Sequence, residues 1–286
     1  DAERILFYSE PGTNKTKVWI EVKYNGPAKE FGWVLPLPKQ PVKGGVGVGT
    51  SYVLDRLDQA AAPRFVTKRG NTNENCHSEP SSGGGCGASD DGGFFAPRST
   101  ESSGDSLSLA NQAGGGANGV QVLEDAQAGP YDYKILASTD SSALLQWLED
   151  NKFDIPAASK PIIETHLKKG DVFIAVKLVS GTGVNEIRPI TLELDDVSPC
   201  VPLRLTSIAA VEDMNVVVYL LGPGRAIPKN HMHVTVNPAR LRWDGGVENY
   251  TSVLSAAIDE AAGRAFATEF AGPSKTLAVP QPVASF

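Results

Sequence analysis

The stretch from Lys17 to Pro38, KVWIEVKYNGPAKEFGWVLPLP, constrains the fold more tightly than any other part of the chain. Val18, Ile20 and Val22 alternate with Trp19, Glu21 and Lys23, the period of two that marks a strand with one buried face. Asn25-Gly26-Pro27 is turn chemistry. A second strand follows from Phe31 to Leu37, in which Phe31, Trp33 and Leu35 share one face and Val34 the other. Pro36 and Pro38 have no amide hydrogen to donate, so this strand must leave the ladder there or run along a sheet edge.

The same period predicts further strands at Glu3–Glu10, from Tyr131 onward, and at Val172–Val179, Pro189–Leu194, Val201–Ile208, Val216–Leu221 and His231–Val236. Helical spacing appears at Val53, Leu54, Leu57, Ala60 and Ala61, behind a Thr50/Ser51 cap and closed by Pro63. It returns at Leu144, Leu145, Trp147 and Leu148 behind Asp140, over a shorter Lys160–Lys168 after Pro156, and over Val253–Glu269. From Val66 to Ala128 the chain is rich in Gly, Ser, Asn and Asp and poor in branched apolar residues, which reads as a long loop or insertion. The expected fold is therefore α+β with β predominating: mainly antiparallel sheets, two packed sheets being one arrangement, with three to four helices. Too few strands precede the loop to fold alone, so residues 1–272 are expected to form one domain carrying 66–128 as an insertion. Residues 273–286 would be a Pro-containing tail.

Composition narrows the function classes. Lys and Arg total 26 against 33 acidic residues, a net charge of -7, and no basic stripe interleaved with aromatics occurs, so nucleic acid is not an expected partner. No apolar run reaches the ~18 residues that a membrane helix needs. A chain opening on Asp1 is expected to have lost a signal peptide. Cys76 and Cys86 stand in NENCHSEPSSGGGCGASDDGG, too polar and Gly-rich for a core, where a small disulfide-closed loop is the natural use. Cys200 is left odd.

Several local patterns suggest chemistry. GDSLS at Gly104–Ser108 matches a hydrolase nucleophile block, but Ser106 lies in the Gly/Ser-rich stretch, and none of the four histidines has an Asp three positions before it to complete a base. GGVGVGTSYVLDRL places glycines before a helix, yet the spacing is wrong for a phosphate loop and no Lys-Ser/Thr follows. In KNHMHVTVN a strand would send His231 and His233 to one face, so two imidazoles would share a transition metal if His77, His166 or a carboxylate joined them. Asp195-Asp196 and Asp90-Asp91 would serve calcium only with converging carbonyls. Trp33 and Trp243 are candidates for an interaction surface, packing being the alternative use of each ring.

Taken in order, AERILFYSE, VKYNGPAKEFGWVLPLP, LDRLDQAAAPRF, YDYKILASTDSSALLQWLEDNKFDIP, GDVFIAVKLV and CVPLRLTSIAA resemble the bacterial DUF2330 proteins. The resemblance runs from Ala2 to about Asn237 apart from the Gly-rich insertion. It implies a secreted or envelope-associated bacterial protein and brings no catalytic residues with it. Family members generally carry a cysteine-containing segment upstream of the first strand. None stands here, which leaves the partner of Cys200 open. YNGPAKEFGWVLPLP is also similar, more loosely, to the strand-turn-strand of VIT modules. The expected function is a non-catalytic extracytoplasmic binding or assembly protein, without cofactor, meeting envelope or extracellular protein partners. The alternatives are a metal-binding protein, enzyme or redox, using His231 and His233, and a subunit of a homo-oligomer or filament whose edge strands or tail pair with neighbours.

Overall fold

The computed structural model describes residues 2–21, 24, 26–65, 119–195, 198–203, 214–243 and 246–276. The chain divides into two units, Asp1–Arg64 with Gly114–Phe286, and Phe65–Ala113; every element named below belongs to the first. The predicted Cys76–Cys86 bridge, together with His77, Asp90, Asp91, Ser106, Asp196 and the tail beyond Thr276, lies outside the described residues.

Two sheets carry the fold. In the first, β1 (Ala2–Ser9) and β2 (Lys15–Glu21) form an antiparallel hairpin. β8 (Ile190–Asp195) pairs with β2, and the short β4 (Val46–Val48) pairs with β8. β9 (Asn215–Leu221) adds to the other side of β1 and runs parallel to it, giving the order β4-β8-β2-β1-β9. The second sheet is antiparallel throughout, in the order β3-β7-β6-β5, from β3 (Gly32–Leu37), β5 (Val120–Ala128), β6 (Tyr131–Ser138) and β7 (Val172–Leu178). Strands from both sides of the Gly-rich stretch interleave in each sheet.

Alternation places the core. Ile5, Phe7, Val18, Ile20, Ile190, Leu192 and Leu194 of the first sheet meet Leu35, Leu37, Tyr131, Tyr133, Ile135, Ile174 and Val176 of the second in one buried cluster, so the sheets pack face to face. The intervening residues point outward to helices. Leu6 and Trp19 pack under Leu54 and Leu57 of α1 (Ser51–Ala61). Leu136, Phe173 and Ala175 pack under Leu144 and Leu148 of α2 (Ser141–Asp150) and Ile163 of α3 (Lys160–Lys168). The order of layers is helix, sheet, sheet, helices. Tyr131 ties the sheets by a second means: its hydroxyl donates to the Arg188 carbonyl at 2.6 Å and accepts from the Arg188 amide at 2.8 Å.

The prolines behave as their chemistry requires, since β3 is an edge strand and Pro36 sits within it opposite Phe173. The glycines before α1 make room. A Cβ on Gly49 would stand 2.6 Å from Trp19 Cδ1, and Gly47 lies in β4 over Thr191. The run is thus a close-packed edge strand.

Four expectations need correction. The segment read as loop to Ala128 contains β5, whose pairing with β6 shifts register between Val122 and Glu124. That bulge inverts the strand, so Val120 buries under the helices while Ala128 buries between the sheets, and the period of two is lost from the sequence. The last helix, α4, spans Tyr250–Glu260 instead of reaching Glu269. The Gly263 amide bonds to the Ile258 carbonyl and the Ala262 amide to that of Asp259, with Ala262 at φ +56°, a Schellman closure. The chain then returns as β11 (Ala265–Phe266) beside β10 (Met232–His233), which is all that forms of the strand expected at His231–Val236. Val201–Leu203 is not a strand, and 204–208 lies outside the described residues.

Helix α2 closes in the same way, with Lys152 at φ +61°. A side chain there carries the left-handed penalty, and Lys152 also stands as a like charge to Lys177. Lys152→Gly is expected to stabilise the fold by about 0.5–1 kcal/mol, read as a higher urea midpoint at unchanged slope.

Candidate functional site

Four strands end the two sheets, and three of them carry a device that discourages another strand from pairing. β4 is three residues long. β3 holds Pro36, with Pro38 just beyond it. β5 is bulged and carries half-buried Glu124 and exposed Asp125 beside the bulge. The fourth, β9, reads NVVVYLL: seven residues without a charge, a proline or a register shift. Short strands, prolines, bulges and charges are the usual protections of a sheet edge, and β9 has none of them.

The β-branched and aromatic content of β9 explains why it is a strand, and its position explains its exposure. Val216 and Val218 pack against the margin of the intersheet core, and Tyr219 and Leu221 against the margin of the α1 cluster. Leu220 is 38% exposed. Among the described residues, no main-chain bond reaches the side of β9 away from β1.

A polar cluster holds this edge in place. Arg4 of β1, buried beneath α1, donates to Glu21 of β2 at 2.6 Å, to Asp55 of α1 at 2.7 Å, and to Asp58 one turn along. The Tyr219 hydroxyl of β9 donates to the other oxygen of Asp58. One cation therefore links β1, β2 and α1, and through Asp58 reaches β9. Burial opposes the Arg4 charge, but the bonds to Asp55, Asp58 and Glu21 outweigh it and hold the guanidinium more firmly protonated than usual. Burial, and then the Asp58 carboxylate, push the Tyr219 phenol well above its ordinary range. These groups are anchors: every one is engaged in fixing a strand or helix.

An apolar cavity opens at the end of the sandwich, lined by Phe7, Val18, Leu37 and Leu194, with Glu3, Thr16 and Cys200 among its other walls. Its free volume of about 30 Å³ admits a water or two, far short of the several hundred Å³ of a small-molecule site. Burial raises the Glu3 carboxyl above its ordinary value near 4.5. Cys200 is an exposed free thiol.

His231 and His233 flank Met232 in β10. Nδ1 of His231 lies 3.0 Å from Asn230 Oδ1, and His233 stacks on Phe266 with centroids 4.9 Å apart. His166 closes the end of α3, with Nδ1 2.7 Å from Asp171 Oδ2 and its ring edge-on to Phe173. Among the described residues, no three His, Cys, Asp or Glu side chains gather as a metal would require. Asp195 ends β8 exposed. Trp33 is half-buried against the intersheet core, whereas Trp243 is 45% exposed. Sequence reading found β9 as a strand but not as an unprotected edge, because edge status is set by long-range pairing. Arg4 was discoverable: it shares the Leu6 face of β1, where an isolated charge needs carboxylate partners.

A family model described as an uncharacterized protein conserved in bacteria, DUF2330, matches residues 11–280. No curated protein and no solved structure matches the chain. No helix among the described residues is long and apolar enough to cross a membrane.

Two substitution experiments follow. Arg4→Met removes the buried cation that bonds Glu21, Asp55 and Asp58 together and is expected to cost about 3–5 kcal/mol, read as a lower denaturant midpoint. For Glu3 the folded state favours the protonated form, so its contribution is greatest below pH 4.5 and is lost as pH rises through the raised folded value. Glu3→Gln should therefore raise the melting midpoint at pH 7 and leave it nearly unchanged near pH 4.

Proposed function

Because the chain belongs to the DUF2330 family of proteins conserved in bacteria, we propose that it works outside the cytoplasm as a non-catalytic binding or assembly protein, in the envelope or an extracellular complex, with its contact along β9. The observation that carries this reading is the contrast, among the described residues, between three sheet edges that carry a protective device and one, β9, that carries none. A partner segment laid along β9 in extended form would take up the main-chain amides and carbonyls that no described residue bonds, the mode of recognition known as strand addition.

Main-chain bonds alone would not hold such a complex. Each contributes about 1 kcal/mol net, while association costs on the order of 4–15 kcal/mol in lost freedom. The half-exposed side chains of β9 offer the remainder, since cross-strand apolar pairs add about 0.2–1 kcal/mol each. The extracytoplasmic location draws its support from Cys76 and Cys86, ten positions apart in number and set in a polar Gly-rich stretch suited to a disulfide loop. A metal-dependent reading through His231 and His233 has less support, with His233 stacked on Phe266 and His231 beside Asn230.

Amide hydrogen exchange on dilute purified chain and on the assembly recovered from the bacterial envelope tests the proposal. Exchange over Val216–Leu221 is expected to slow in the assembly, and Leu220→Lys should abolish recovery while leaving the melting curve in place. Slowing confined to residues around His231 and His233, reversed by a chelator, would sink it.

A further inference from the structure

We infer that the strand occupying the β9 edge is β9 of a second copy of this chain, antiparallel to the first about a two-fold axis normal to the sheet. This rests on the strand-addition reading and names its occupant. A two-fold interface must be self-complementary, each residue meeting the same surface it presents. β9 satisfies this electrostatically because it carries no charge, so no like charges are set opposite each other. The same operation on β5 would bring Glu124 and Asp125 toward their own copies across the new pairing.

The faces also match. β9 is apolar on both sides, with Val216, Val218 and Leu220 on the intersheet side and Val217, Tyr219 and Leu221 on the α1 side. An axis normal to the sheet keeps each side on its own side, so the Val216/Val218/Leu220 stripe continues into its copy and the Val217/Tyr219/Leu221 stripe does likewise. An alternating amphipathic strand would match one of the two stripes and set polar groups against the other. A strand apolar on both faces is the fitting neighbour, and β9 is itself such a strand. Joined in this way, two five-stranded sheets become one continuous sheet with β9 and its copy at the centre. The outer ends of that sheet are then the two short β4 strands. Pairing therefore leaves no long unprotected edge in this sheet, and growth stops at two copies.

Sedimentation equilibrium on the full chain over a range of concentrations, with amide exchange on the same samples, tests the inference. The expected result is a dimer in which exchange over Val216–Leu221 slows as concentration rises. Leu220→Lys, at an exposed position where the fold tolerates it, should weaken the dimer at least about tenfold. Val122→Lys on the exposed part of β5 is the control and should leave the dimer intact. A chain that stays monomeric at every concentration, yet shows β9 slowed in the envelope assembly, overturns self-pairing and leaves strand addition by another protein standing. A dimer indifferent to Leu220→Lys also overturns self-pairing. No slowing of β9 in either sample overturns both readings.

Discussion

The apolar layer between the two sheets is the constraint from which the rest of the structure follows. Ile5, Phe7, Val18 and Ile20 come from the start of the chain, and Ile190, Leu192 and Leu194 from far beyond the Gly-rich stretch. Both sets bury against Leu35, Leu37, Tyr131, Ile135 and Ile174 of the opposite sheet. Neither half can close this layer alone, so the two must meet before either is stable. With the inner faces committed, the outer faces still carry Leu6, Trp19, Leu136 and Phe173, and three helices are recruited to cover them.

The polar side chains near these layers serve that architecture. Arg4 and its carboxylates pin α1 across three strands. Tyr131 clasps the sheets through the Arg188 backbone. His166 and Asp171 fasten the end of α3. Lys177 donates to the Asn151 and Lys152 carbonyls just past the end of α2 while its ammonium lies 4.5 Å over the Phe153 ring. Those titratable groups are spent on structure, and the cavity beside Glu3 and Cys200 is small. The proposed function rests instead on shape and main-chain valence at β9.

Much of this was legible in the sequence wherever short-range rules suffice. The alternation from Val18 to Ile20, the Thr50 and Asp140 caps and the prolines of WVLPLP each act within a few residues, and each gave the right element in the right place. Where a distant partner decides, local rules failed. The bulge at Leu123 erased the period of β5, because only pairing with β6 reveals it. The helical pattern beyond Val253 continued in the sequence past the point where Ala262 turned left-handed and let Phe266 pair with His233. The glycines before α1 were explained only once Trp19, from another strand, was found against Gly49. An unprotected edge is likewise a fact of topology, invisible in NVVVYLL until its neighbours are known.

The parallel ladder between β1 and β9 joins Ala2 to Asn215 and Tyr8 to Leu221, coupling residues more than two hundred positions apart in the chain. A chain emerging from its amino end offers β1 long before β9 exists. Until then β1 stands open on the side away from β2, exposing the main chain of a strand that carries Ile5, Leu6 and Phe7. Contacts so far apart in sequence form slowly, and strands waiting with open edges are where newly made chains stick to one another. The pairing that finishes this protein is also the one that leaves it longest in need of protection while it is being made.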